Sequence, residues 1–280
     1  MNRYFRFIRK TTSSILMSLS EVLSHHYLHK TAITLVATLV GTTAVLGTAE
    51  AIDFNWNAGT GDWENGSNWS NGFGSMVPDE DAFAFVDNGG TAQVQTTDSV
   101  AGYVYIGNVN SGALDIFGGG QLESFYGNEI GRNAGSSGAV TVDGIGSSWQ
   151  LTGPSASLDV GASGEGSLTI TNGGEVLNAD SFLSTSIGDN AGSSGTVTVD
   201  GTGSKLTNIN AGINVGNSGN GTLNILNGGS VSNTFGSVGR LSGATGTVTV
   251  DGAGSSWNNS NALGLGDWGN GTLNIINDGL

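Results

Sequence analysis

The sequence contains no cysteine in 280 residues. That excludes disulfide staples, thiolate metal sites and a cysteine nucleophile together. Histidine is confined to His25, His26 and His29, so beyond residue 51 no nucleophile–base pair can be built on His or Cys. Basic residues are nearly as scarce. Of eight Lys and Arg, only Arg132, Lys205 and Arg240 lie beyond Ala51, whereas every Asp and Glu except Glu21 and Glu50 lies there. So acidic a body repels nucleic-acid phosphates and anionic lipid headgroups, and neither is expected as a partner. Proline occurs twice and charged residues make up 11%. What abounds is glycine, 49 residues against an ordinary share of about 7%. A Gly-rich chain can be a flexible linker or a disordered segment, but such chains lack regularly spaced Val, Leu and Ile. Here the apolar residues recur in register, so the glycines read as turns between short strands.

Residues 1–51 have the layout of a long export signal. A basic start (Arg3, Arg6, Arg9, Lys10) precedes an amphipathic stretch from Ser14 to Leu23 and a second polar patch, His25 to Lys30. The uncharged run Thr31 to Ala49 then ends in Ala49-Glu50-Ala51, an A-x-A cleavage signal. Such a run is long enough to span a membrane. It is diluted with Thr and Gly, however, and no basic residues follow it, so cleavage after Ala51 is expected rather than a retained anchor. The doubled arrangement resembles the extended signal peptide region of large Gram-negative type V secretion proteins. The Met1-Asn2-Arg3 start, Tyr4-Phe5-Arg6, Ile8 and Ser20-Glu21 carry that resemblance, and the central Trp of the pattern is absent. It implies export through the inner membrane.

Beyond residue 105 a hydrophobic residue followed by Gly recurs at Ile106, Ile130, Val160, Ile187, Val215, Val238 and Leu265. Each copy is followed by an alternating strand: Leu114-Asp115-Ile116, Val140-Thr141-Val142, Leu168-Thr169-Ile170, Val197-Thr198-Val199, Leu223-Asn224-Ile225, Val248-Thr249-Val250 and Leu273-Asn274-Ile275. The offset from motif to strand is 8 or 10 residues in strict alternation. The true repeat is therefore a pair of units, and a period of this size signals a solenoid or a propeller. One unit type reads G-x-L-x-I-x-N-G-G (Gly166 to Gly174, Gly221 to Gly229). The other reads G-S-S-G-x-V-T-V-D-G-x-G-S (Gly135 to Ser147, Gly192 to Ser204), with Gly243 to Ser255 close to it. Asn-Gly and Asp-Gly supply the positive φ of tight turns. A third apolar stretch closes each unit, as at Trp149-Gln150-Leu151, Val176-Leu177 and Trp257-Asn258.

Three short strands per unit make one coil of a three-sided β-helix. A four-residue strand cannot bury enough surface alone, but stacked coils pair each strand with its equivalents above and below. Period-2 geometry points Val140 and Val142 inward and Thr141 outward. The outward column Asp115, Thr141, Thr169, Thr198, Asn224, Thr249 and Asn274 is expected to hydrogen-bond along the face. A propeller would need four antiparallel strands in each paired unit, with longer strands than these. The fold expected is all-β, a right-handed three-sided parallel β-helix following a signal peptide. Its domains are a signal at 1–51, a Trp-rich capping region at 52–105, and seven coils at 106–280 in two alternating types, the last truncated. Stretches such as Gly192 to Leu206 and Gly216 to Val231 resemble the repeat shared by type V secretion (autotransporter) passengers and PEP-CTERM-class surface proteins. That resemblance covers residues 106–280. It implies a β-helical, surface-exposed, adhesin-like passenger in the outer membrane or extracellular space, without common catalytic residues and with a translocator barrel beyond the passenger. A host-surface or glycan ligand would be its partner.

Residues 52–105 lack the repeat and carry Trp56, Trp63 and Trp69. The exposed end of a β-helix offers raw strand edges and a raw core, so these aromatics read as a cap. The alternative is a glycan platform, on which Trp stacks with sugars. Asp143, Asp200 and Asp251 are expected in one column in alternate coils, about 10 Å apart at a strand spacing of ~4.8 Å. That is too far for two of them to share one calcium ion, and Asp-Gly turns explain them. Asp79-Glu80-Asp81 reads as a solvated loop. No catalytic, cofactor-binding or metal-binding residues are assigned, and the chain is expected not to be an enzyme. A β-helical polysaccharide-degrading enzyme is the weaker rival, because such enzymes gather Asp, Lys and Arg on one face. Asn277-Asp278-Gly279-Leu280 stops just after a turn, as expected of a fragment of a longer chain.

Overall fold

The computed structural model describes residues 51–280 except 154 and 180–182, and before them only 36–39 and 42–45. The chain divides into two units, Met1–Glu50 and Ala51–Leu280. In the first, strands Val36–Leu39 and Thr42–Val45 pair antiparallel; the rest of the expected leader lies outside the described residues. Among the described residues no helix is long and apolar enough to cross a membrane.

The second unit is a parallel β-solenoid with three faces. A nine-stranded sheet runs from Thr60–Asp62 to Asn270–Ile276, and its repeat strands are seven residues long, as in Ser137–Asp143 and Ser194–Asp200. We call it the long face. The second face has seven strands, from Ser99–Ala101 to Ser256–Asn259. The third has ten and ends at Leu263–Leu265. Apart from one antiparallel strand at its end, each strand in these sheets pairs parallel with its equivalent one coil away, so the propeller alternative is excluded. Parallel stacking also begins before the recognisable repeat. Phe83–Val86, Thr91–Val94 and Ser99–Ala101 already form one coil, paired with the three strands that follow.

Alternation places the apolar residues as expected. In Ser194–Asp200, Val197 and Val199 are buried while Thr196, Thr198 and Asp200 face outward. The inward residues of all three faces merge in one core, exemplified in one coil by Leu158, Val160, Leu168, Ile170 and Val176. Trp149 and Trp257 join it from the second face. Their indole N–H groups donate to Ser124 Oγ (3.0 Å) and Asn233 Oδ1 (2.7 Å), each one coil earlier. Those bonds make burial of the two indoles tolerable, because an unpaired buried donor would cost ~1–3 kcal/mol.

The recurring hydrophobic-Gly pair turns the chain from the third face to the long face. Gly161 has φ 72°, and a Cβ there would stand 2.2 Å from the Ser194 carbonyl oxygen of the next coil. Only glycine meets both demands.

The strict alternation of unit types has a structural cause. Each N-G-G turn is held from both sides by D-G-x-G-S turns. Asn227 Nδ2 donates to Asp200 Oδ1 one coil earlier (2.7 Å), and the Gly228 N–H donates to Ser255 Oγ one coil later (2.9 Å). The same pair of contacts surrounds Asn172 and Gly173, with Asp143 and Ser204 as acceptors. Each accepting serine anchors its own turn, Ser204 Oγ donating to the Asp200 carbonyl at 2.7 Å. Two consecutive turns of one type would leave these donors and acceptors unmatched.

One expectation is corrected. The column Asp115, Thr141, Thr169, Thr198, Asn224, Thr249 and Asn274 is in register, yet it does not hydrogen-bond along its length. Thr141 bonds to Asp115, but Thr169, Thr198, Asn224 and Thr249 make no side-chain hydrogen bond within the protein among the described residues. Register sets the backbones ~4.8 Å apart, a gap that side chains close only where both rotamers point along the column, as Ser232 Oγ and Thr207 Oγ1 do at 3.4 Å on the second face.

Candidate functional site

The tryptophans at the front of the solenoid are core residues. Trp56, Trp63 and Trp69 are buried, and Trp63 has no exposed surface. Trp69 stands edge-on to Trp56 at 4.9 Å and to Trp63 at 4.8 Å, the arrangement preferred by aromatic quadrupoles. Trp56 Nε1 donates to the Gly59 carbonyl (3.1 Å) and Trp69 Nε1 to the Trp63 carbonyl (2.8 Å). Trp69–Ser70 pairs antiparallel on Asp53–Trp56, the terminal arrangement of the third face. With their ring faces inside the protein, these residues offer no stacking platform to a sugar. The glycan reading of Trp56, Trp63 and Trp69 is therefore corrected, because burial in a shared core outweighs their polar neighbours in sequence.

Asp143, Asp200 and Asp251 occupy one column, with Thr171 and Leu226 between them. Each carboxylate accepts from an Asn side chain of the following coil. Gly144, Gly201 and Gly252 after them have φ between 91° and 95°. Their role is the turn. In the Asp79-Glu80-Asp81 loop, Asp79 Oδ1 accepts the Asp81 N–H at 3.3 Å. Burial raises the carboxyls of Glu80 and Asp81 above their ordinary range, followed by repulsion from Asp81 and Asp79 for Glu80 and from Asp79 for Asp81. Among the described residues no group of three His, Cys, Asp or Glu is placed to hold a metal.

A cluster that sequence reasoning missed lies on the outside of the third face. Phe83 and Phe85 project outward from Phe83–Val86, and Tyr103 and Tyr105 from Tyr103–Ile106 in the next coil. Phe83 stacks on Tyr103 at 4.3 Å, Tyr103 on Tyr126 at 4.8 Å, and Phe85 lies tilted on Tyr105 at 5.1 Å. The Arg132 guanidinium sits 4.2 Å from the centre of the Tyr105 ring. It also pairs with Glu129 at 3.2 Å and donates to Asn108 Oδ1 at 3.2 Å. Along the same column Tyr105 neighbours Glu129, which neighbours Asp159, which neighbours Ser186. The signal was present in the alternation Phe83-Ala84-Phe85-Val86 and Tyr103-Val104-Tyr105-Ile106. Aromatics at period 2 opposite small or aliphatic residues belong on the outer face.

The electrostatics of this cluster follow from crowding. Burial raises the Asp159 carboxyl to about 7, helped by the charges of Asp189 and Glu129, and a hydrogen bond to Ser186 only partly opposes this. Burial also raises Glu129, against the attraction of Arg132, and Tyr105 is pushed up to about 12. The column therefore presents Asp159, its carboxyl held far above the ordinary carboxylate range, beside an Arg132–Glu129 pair. Stacking sets ring face on ring face between coils, and the ladder covers itself closely enough that Tyr105 is buried with 5% of its surface exposed. Chemically, it stiffens the first coils and supplies hydrogen-bonding groups.

No protein family matches the sequence, and no curated protein matches it. Among solved structures, a TibC-catalyzed hyper-glycosylated TibA55-350 fragment aligns at 15% identity, covering 83% of this chain and 94% of that chain, with a TM-score of 0.15.

Proposed function

We propose that this chain is the exported, surface-displayed segment of an autotransporter-type passenger. In that role it is a structural, adhesin-like rod rather than an enzyme. The observation that carries the reading is the three-faced stack extending from Asp53 to Ile276, coil upon coil in register. Such a stack keeps the same residue types facing solvent in successive coils and so exposes repetitive surfaces along its length. It also suits a chain that folds after export. Each coil adds to an edge already formed, and the absence of cysteine removes any need for oxidation. The signal-like leader and the resemblance of residues 106–280 to passenger repeats support the same reading. A translocator barrel and a host-surface or glycan ligand are the partners it implies. The wall of the solenoid carries no catalytic step in this reading.

Protease shaving of intact Gram-negative cells expressing the natural locus tests it. Residues 52–280 should be digested while a cytoplasmic marker survives, and the mature N-terminus should be Ile52. Protection of the whole chain, with Met1 retained, would sink the proposal. Cleavage of an acidic polysaccharide by the purified chain would favour the enzyme instead.

A further inference from the structure

The C-terminal half of the long face presents a two-dimensional array of uncharged polar groups. In four consecutive strands the third and fifth residues are Thr196 and Thr198, Thr222 and Asn224, Thr247 and Thr249, and Thr272 and Asn274. All face outward, and equivalent residues are Cα partners across every strand boundary. Rows therefore repeat at the strand spacing of ~4.8 Å, and columns at two residues of parallel strand, ~6.6 Å. Ser167 and Thr169 extend the array by one row. None of the eight residues makes a side-chain hydrogen bond within the protein among the described residues. Each threonine adds a γ-methyl beside its hydroxyl. No aromatic residue stands among the outward positions of these four strands, and Asp200 and Asp251, at the seventh position, are engaged with Asn227 and Asn277.

We infer that this face is a binding surface for an ordered lattice of water, the surface of an ice crystal. The exposed oxygen rows of hexagonal ice repeat in two directions at distances close to those of the array. A ligand that shares both periods meets many weak groups at once, and each added contact is intramolecular after the first. β-Branched threonines on a hydrogen-bonded sheet lose little freedom on binding. Their methyls settle in the hollows of the lattice while the hydroxyls join its hydrogen-bond network. Lack of charge matters equally, because an ammonium or carboxylate would impose its own hydration shell on the boundary. A crystalline polysaccharide is also periodic, but its recognition rests on aromatic stacking, which this face does not offer.

The test is thermal hysteresis and ice-crystal shaping by the purified full chain. The wild type should facet growing crystals and open a gap between melting and freezing points that a globular protein at equal mass does not. Thr222→Tyr with Thr247→Tyr should reduce the gap to the buffer value, while Ser232→Tyr on the second face leaves it unchanged. If the tyrosine pair fails to fold by circular dichroism, Thr222→Lys with Thr247→Lys should give the same loss in a folded chain. No shaping by the folded wild type would overturn the inference. So would an equal loss in Ser232→Tyr. Binding to microcrystalline chitin or cellulose that the paired variants abolish, without ice shaping, would overturn it in favour of a polysaccharide surface.

Discussion

Asn172 reaches one coil back to place its Nδ2 2.6 Å from Asp143 Oδ1. The two residues are 29 positions apart in the chain and belong to different unit types. Their contact returns as Asn227–Asp200 and Asn277–Asp251, both at 2.7 Å. A paired repeat is thus a chemical unit, in which one turn supplies the acceptor and the next the donor.

Replacing a member of this interlock should loosen one coil boundary. Ser204 is fully buried and accepts the Gly173 N–H at 3.1 Å while donating to the Asp200 carbonyl. Ser204→Ala leaves both groups without that partner and should cost ~1–3 kcal/mol. A urea titration would read it as a lower midpoint with unchanged slope. A stability equal to wild type would remove the interlock as the reason for alternation.

The turn glycines should be intolerant. Gly161→Ala combines φ 72° with a Cβ 2.2 Å from the Ser194 carbonyl. The left-handed conformation alone costs ~1 kcal/mol or more, and the clash adds backbone displacement across the coil boundary. Gly192→Ala is a useful contrast, since its Cβ would meet nothing within 4 Å although φ is 87°. Thermal unfolding of the pair should rank Gly161→Ala well below Gly192→Ala.

Core and surface tryptophans should behave oppositely. Trp63→Ala empties a fully buried site edge-on to Trp69 and should cost ~3–5 kcal/mol. Trp268→Ala, at a residue 80% exposed, should shift stability by no more than ~0.5 kcal/mol. Fluorescence-detected unfolding separates the two. A harmless Trp63→Ala would contradict the placement of the front tryptophans in the core.

Asp159 should make the protein less stable as pH rises. Its carboxyl goes from an ordinary 3.8 to about 7 in the folded state, so the folded chain holds a proton that the unfolded chain releases. The stability that proton brings is complete below about 4 and is lost as pH climbs through about 7. Glu129 is raised as well and acts with the same sign. Asp159→Asn should flatten the profile between pH 4 and 7 and raise the melting temperature at pH 8. A wild-type curve that rises over that interval would refute the assignment.

The repeat positions, the three strands per coil and the inward column were legible from Ile106 onward, because strand geometry forces alternate residues to opposite sides. The glycines after each hydrophobic residue, and the Asn-Gly and Asp-Gly turns, marked the corners for the same local reason. The start of the stack was less legible. Thr91–Val94 lies in a coil but lacks the repeat's Gly and Asn signature, since strand pairing needs only a suitable backbone and an apolar inward residue such as Val94.

By itself, the sequence determined the parallel solenoid, its paired repeat and which side of each strand faces inward, since all of these follow from periodicity and turn chemistry. Only the tertiary structure decided which groups meet across coils. It buried Trp56, Trp63 and Trp69 while turning Tyr103 and Tyr105 outward, and it crowded Glu129 and Asp189 around Asp159. It also left Thr198 and Thr249 without partners while giving Asn172 the carboxylate of Asp143. Those outcomes depend on residues 20 to 30 positions apart coming into register, and on whether the side chains that meet at a spacing near 4.8 Å reach one another: the stacked rings and the Asn172–Asp143 pair do, and the hydroxyls of Thr198 and Thr249 do not.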